Sequence, residues 1–168
     1  MKKKVTFNDG VASRLHDIIL GGQDGVVNVL GLVLGVASAT NDPKIVIIAG
    51  LASTFAESIS MGAVAYTSSE AEQDYFKSIH RQSRLAHSPL STALVVLVAS
   101  FIGSLIPIIP FFLSLPVKTA MGVALVACSI VLFATGAYKA KLTVGTWWKS
   151  GVTMMLIGIA SAVAGYLI

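Results

Sequence analysis

The sequence predicts an all-α, polytopic membrane protein with five transmembrane helices, and three observations carry that reading. Of its 168 residues 55% are hydrophobic and only 12% charged, with a mean hydropathy of +0.81; a soluble domain carries about 25% charged residues. Five apolar segments, at 18–40, 44–66, 89–113, 117–138 and 147–168, each reach the roughly 20 residues that a helix needs to cross a bilayer. Because lipid satisfies no backbone hydrogen bond, an open chain crosses it only as helices. The spans consume most of the chain, so a single transmembrane domain over 1–168 is expected.

Taken in order, the elements are separated by legible breaks. Lys2, Lys3 and Lys4 precede the polar stretch Thr6 to Ser13 rather than an apolar core, so no cleavable signal is expected. Asn41-Asp42-Pro43 divides spans one and two, Ser114-Leu115-Pro116 divides three and four, and Lys139 to Thr146 precedes span five. The longest connection, 67–88, reads as a cytoplasmic helical extension of span two followed by a loop. Cys128, the one cysteine, lies inside an apolar run and reads as packing; it excludes an intrachain disulfide or a cysteine zinc site.

Charge sets the direction. With a cytoplasmic amino terminus, Lys2, Lys3, Lys4, Arg14, Lys77, Arg81, Arg84, Lys139, Lys141 and Lys149 lie inside, against only Lys44 and Lys118 outside. The carboxyl terminus is then external. Tyr66, Tyr138, Trp147 and Trp148 fall at the cytoplasmic boundary, and Phe111, Phe112 and Tyr166 towards the other, as aromatic belts require. The net charge of +4 therefore reports topology and contact with anionic lipid head groups, and no nucleic-acid partner is expected. A multi-pass protein of the cell membrane fits best, or of a vacuolar or other internal membrane in a eukaryote.

All eight acids lie within the first 74 residues, so the last three spans contain none. Asp24 in span one and Glu57 in span two stand at membrane depth, where a carboxylate costs several kcal/mol and marks a functional site by default. Asp24, Asn28, Gly31 and Gly35 recur at steps of four, three and four along one helix face. Gly31 and Gly35 form a GxxxG pair, which serves either a dimer interface or packing within one chain; the acid on the same face favours the interface. Ser53, Glu57 and Met61 are spaced i, i+4, i+8, with Ser60 beside them. Met61 alone would read as a gap-filler, and Glu57 alone as a hydrogen-bonded structural acid. Aligned, a carboxylate and a soft thioether favour a divalent transition metal over Mg²⁺ or Ca²⁺.

Glu70, Glu72 and Asp74 continue the register past the membrane, either gathering cations or forming an ordinary solvated face beside Lys77 and Arg81. His16, His80 and His87 have no i, i+4 pairing and read as surface residues. Lys139, Lys141, Trp147, Trp148 and Lys149 have a sufficient role as interfacial anchors. No catalytic constellation or phosphate-cradling loop is present, so no enzyme activity and no resident cofactor are expected.

The stretches Asp17-Ile18-Ile19-Leu20-Gly21 to Asp24-Gly25, Ala49-Gly50-Leu51-Ala52, Ser58-Ile59-Ser60-Met61-Gly62, Ser69-Glu70-Ala71-Glu72, and Lys139-Ala140-Lys141-Leu142 to Trp147-Trp148-Lys149-Ser150-Gly151 resemble the vacuolar iron transporter family, in order and over nearly the whole chain. The resemblance implies a five-span homodimer that exports Fe²⁺, and often Mn²⁺, from the cytosol in exchange for protons. It further implies a path along the dimer interface, lined by an acid in span one, which maps to Asp24, and by an acid and a methionine in span two, the methionine mapping to Met61. Two departures stand out. The span-two acid of the plant iron carriers falls at Ser53, one turn before Glu57. The glutamate-rich cytosolic domain of those members has no room in 67–88; only Glu70 and Glu72 match its start, and the chain resembles the short members. On the residues alone, a non-transporting membrane assembly or regulatory protein and a passive cation channel remain as alternatives.

The expected topology is checked by single-cysteine labelling with a membrane-impermeant maleimide. Ser114→Cys should label in intact cells and Gly145→Cys only after permeabilisation; the reverse pattern would invert the orientation.

Overall fold

The computed structural model describes residues 9–79, 87–142 and 145–167; Lys2, Lys3, Lys4, His80, Arg81 and Arg84, counted above, lie outside them. The helices are α1 (Asp9–Thr40), α2 (Pro43–Ser78), α3 (Pro89–Leu105), α4 (Val117–Leu142) and α5 (Trp147–Leu167), with a 3₁₀ turn at Ile109–Leu113. Five segments are long and apolar enough to span a membrane, the third comprising α3 and the 3₁₀ turn together. The described residues contain no strand. This is a multi-pass, all-helical membrane fold.

The ends differ from the hydropathy boundaries wherever backbone chemistry, which hydropathy does not see, decides. α1 already includes Asp9, well before residue 18, because no proline interrupts the polar lead-in and a helix in water tolerates charge. α2 runs to Ser78 without a breaker, twelve residues past Tyr66, which makes the expected extension one rigid rod about 18 Å long. α3 stops at Leu105 although the apolar run reaches Leu113. Pro107 lacks an N–H, and its ring meets the carbonyl of the preceding turn, so the chain tightens into the 3₁₀ turn that begins just before Pro110.

The turns carry their own chemistry. Asn41 takes a left-handed conformation (φ 51°) that ends α1. Asp42 then caps α2, its carboxylate accepting the Lys44 N–H at 2.8 Å, with Pro43 in the first turn. Ser88 caps α3 by accepting the Ser91 N–H at 3.3 Å. Arg14 on α1 donates to the Ser91 carbonyl at 3.0 Å and also to the Ser91 hydroxyl. That fork staples the start of α1 to the first turn of α3.

α1 is the central element and packs against every other helix, most extensively against α3. Val26, Val29, Leu30, Val33, Leu34 and Ala37 bury its apolar face against Ile108, Phe111, Ala120, Ala124, Cys128, Leu132 and Met154. Cys128 is fully buried there and reads as packing. Glycines bring the backbones together: a Cβ on Gly21 would strike the Val96 carbonyl, one on Gly25 the Ser100 carbonyl, and one on Gly103 the Gly22 carbonyl. Such small-residue contacts supply packing in lipid, where no hydrophobic force joins helices.

This packing predicts opposite signs for two glycine substitutions. Gly103→Ala should destabilise by about 1–3 kcal/mol, since the obstructing atom is backbone and cannot rotate away. Gly122→Ala, with nothing within 4 Å of the new methyl, should stabilise by up to about 1 kcal/mol through helix propensity. Unfolding in detergent followed by circular dichroism measures both.

Candidate functional site

Polar residues of α1 and α2 converge within the membrane-crossing segments. Asp24 and Asn28 lie one turn apart on α1, and Glu57 faces them from α2. The Asn28 side-chain Nδ2 donates to Asp24 Oδ2 at 3.1 Å and to Glu57 Oε1 at 2.8 Å. One amide thus uses both of its hydrogens to hold carboxylates from two helices. Asp24 and Glu57 are half-buried, while Asn28 is open.

The pair of helices is shaped for this. Gly21 and Gly25 press the back of α1 onto α3, and the front carries Leu20, Asp24, Asn28 and Leu32 at steps of four, Asp24 half-buried and the other three exposed. On α2 the buried hydroxyls Thr54 and Ser58 turn inward and donate to the carbonyls of their own helix, Gly50 at 2.9 Å and Thr54 at 2.6 Å. Ser53, Glu57 and Met61 lie on a different stripe, each half-buried, with Ser60 exposed beside them. Of these, Glu57 reaches α1 by a hydrogen bond.

Other expected residues are placed differently. The close approach permitted by Gly31 and Gly35 is made inside the chain: a Cβ on Gly31 would meet Ser161 Oγ at 2.8 Å, and one on Gly35 the Gly165 carbonyl at 2.7 Å. Within the chain these glycines seat α5, the packing role that their spacing also allows. The physical reason is that α5 carries Ser161 and Gly165 at the same spacing of four and presents a matching small-residue ridge. Glu70, Glu72 and Asp74 are exposed on the α2 extension, and Asp74 pairs with Lys77 at 2.9 Å. Glu70 is thirteen residues from Glu57, about 20 Å along the helix, so this acidic stretch is not part of the cluster.

The sequence reading missed three features. Ser161 donates to the Val27 carbonyl at 2.9 Å and so ties α5 to α1 beside the cluster. A groove of about 540 Å³ leads away from Asn28 along α1, between Leu32, Val36 and Ala39 on one side and Ser161 and Ala164 on the other. Asp17, two turns before Asp24, is a buried carboxylate, 5% exposed, with His16 Nδ1 at 3.6 Å from one oxygen. Its spacing of seven from Asp24 was the available signal.

Among the described residues no three His, Cys, Asp or Glu side chains gather closely enough to hold a metal ion. One chain brings two carboxylates and an amide together, with a thioether one turn away on α2.

Comparison with known proteins bears on this arrangement. An uncharacterised protein of Methanocaldococcus jannaschii is 28% identical over 166 residues, covering 90% of this chain and 86% of its own. The vacuolar iron transporter of Plasmodium falciparum is 43% identical over 61 residues, 36% of this chain and 22% of that protein. Vacuolar iron transporter homolog 2 of Oryza sativa subsp. japonica is 26% identical over 169 residues, covering 94% and 89%. The model of the VIT family matches residues 15–87 and 76–168, which takes in all five membrane-crossing segments and the Asp24–Asn28–Glu57 cluster, and the chain belongs to that family.

Proposed function

We propose that this protein moves divalent transition metal, Fe²⁺ first and Mn²⁺ second, out of the cytosol in exchange for protons, as a homodimer. The observation that carries the reading is the Asn28 amide held between Asp24 and Glu57. Two carboxylate oxygens from different helices lie within about 3 Å of one nitrogen, and there the amide supplies only the positive end of a dipole. A divalent cation in that place supplies full charge and outcompetes it. Membership of the VIT family and the names of the relatives support metal ion transport as the general activity.

Exchange follows from the same pair. Metal and protons compete for the same carboxylate oxygens of Asp24 and Glu57, so that loading one displaces the other. Met61 adds a soft sulfur that prefers Fe²⁺ to Ca²⁺ or Mg²⁺. A second copy completes the site, because Asn28 and Leu32 are exposed beside the half-buried Asp24, and polar groups left facing lipid are costly. Two-fold symmetry then doubles the set to four carboxylates and two sulfurs. The partly exposed α1–α2 stripe, rather than the Gly31–Gly35 ridge, is the surface that meets the partner.

Reconstituted vesicles with a lumenal pH probe test the function. Wild-type protein should take up Fe²⁺ while protons leave, and Asp24→Asn and Glu57→Gln should each stop both fluxes. Metal flux without counter-movement of protons would mean a passive channel; unaltered flux in both variants would remove these acids from the path; no wild-type flux would leave a scaffold. Asn28→Ala should weaken metal uptake by about tenfold without abolishing it, as loss of a group that orients ligands does. Met61→Ala should narrow the preference for Fe²⁺ over Mn²⁺, read as the ratio of the two uptake rates.

A further inference from the structure

Apart from the residues of the metal reading, the ends of α4 and α5 line an open cavity of about 710 Å³. Ala134, Ala137 and Ala140 form its floor, Tyr138 and Trp147 its rim, and Lys141 stands at its mouth. Trp147 is held in position by a ring cluster: its centroid lies 6.4 Å from Phe133 and 5.6 Å from Trp148, which is itself 5.3 Å from Phe133, all edge to face. Gly136 fixes the two helices beside it, since a Cβ there would collide with the Ser150 carbonyl and Gly151.

The charged side chains of its own two helices at this end are all basic. Lys139 and Lys141 end α4, Lys149 sits in the first turn of α5, and no acid occurs anywhere after Asp74. The first N–H groups of α5 add the positive end of a helix dipole on the same side.

A second, deeper groove of about 380 Å³ lies between the same two helices, lined by Val126, Ile130, Phe133, Met155 and Ile159 with almost no polar surface. Val126, Ile130, Ala134, Ala137 and Lys141 follow at steps of four, four, three and four, so one face of α4 runs from the apolar groove to the basic mouth. From Val126 to Lys141 that face is about 22 Å long, the scale of one bilayer leaflet with its head groups.

We infer that the α4–α5 seam is a binding site for an anionic phospholipid, with its phosphate at Lys141 and the start of α5 and an acyl chain along Val126, Ile130 and Phe133. Aromatic rim, basic mouth and apolar groove meet the three parts of such a molecule in the order in which it presents them. A basic pocket between helices at a membrane boundary recognises lipid head groups in this way.

Native mass spectrometry of delipidated protein in detergent, titrated with phosphatidylglycerol or phosphatidylcholine of identical chains, tests the inference. Phosphatidylglycerol should bind about tenfold more tightly. The double variant Lys141→Gln, Lys149→Gln should bring the ratio near one, and Ala134→Leu, at an exposed position on the cavity floor, should weaken both lipids. Equal wild-type affinities, or a ratio unchanged in the double variant, would overturn the site. Glycerol 3-phosphate competing as well as the intact lipid would overturn the assignment of the groove to a chain. Cross-linking of two copies through Ile130→Cys would place a second protein there instead. If the double variant fails to fold, the wild-type ratio and Ala134→Leu still decide.

Discussion

The structure depends on how closely α1 is approached from behind. Four glycines of α1, Gly21, Gly25, Gly31 and Gly35, press against backbone or small side chains of α3 and α5, and a further staple from Arg14 joins α1 to α3. In a bilayer this contact is the available adhesive, since lipid offers helices no hydrophobic reason to associate. With two flanks of α1 so occupied, its remaining flank carries Asp24 and Asn28 towards α2. The placement of acids at membrane depth is thus a result of packing on the far side of the same helix.

The Asn28 bridge gives the two acids a resting arrangement. Left apart, two ionised carboxylates this near would repel each other; an amide that donates to both keeps them aligned while remaining neutral. In the proposed cycle a cation, a pair of protons and the amide hydrogens compete for the same oxygens. The position of Glu57, one turn from where the related plant carriers are expected to hold their acid, puts its carboxylate within reach of Asn28, so the two positions act as a pair.

Much of this was legible in the sequence, for physical reasons that also mark where legibility ends. Five apolar runs of sufficient length leave helices as the only solution, and the stripes Asp24–Asn28 and Ser53–Glu57–Met61 follow from helical periodicity alone. Element ends were less readable because hydropathy ignores the backbone: Pro107 stops α3 inside an apolar run, and nothing stops α1 from including Asp9. The glycine pair showed the same limit. Spacing announces that some helix comes close but not which one, and the complementary Ser161–Gly165 spacing on α5 was the clue that the partner lay in the same chain. Asp17 was passed over because burial is a property of neighbours, not of the local pattern.

The glycine-packed back of α1 has a consequence for how such a protein diversifies. A shaft keyed on two sides can neither rotate nor slide without lifting α3 or α5, so the depth of Asp24 is frozen by atoms that have no room to change. α2 is keyed through Gly50 and Gly62 onto the side chains of Ile108 and Leu97, but its outer face, bearing Phe55 and Ile59, is exposed, and an acid can be exchanged between positions one turn apart without moving any backbone. In the proposed function, variation in cargo belongs to α2, where relocating a carboxylate between 53 and 57 is a step of one helical turn made by two substitutions. α1 supplies the fixed reference against which that step is measured.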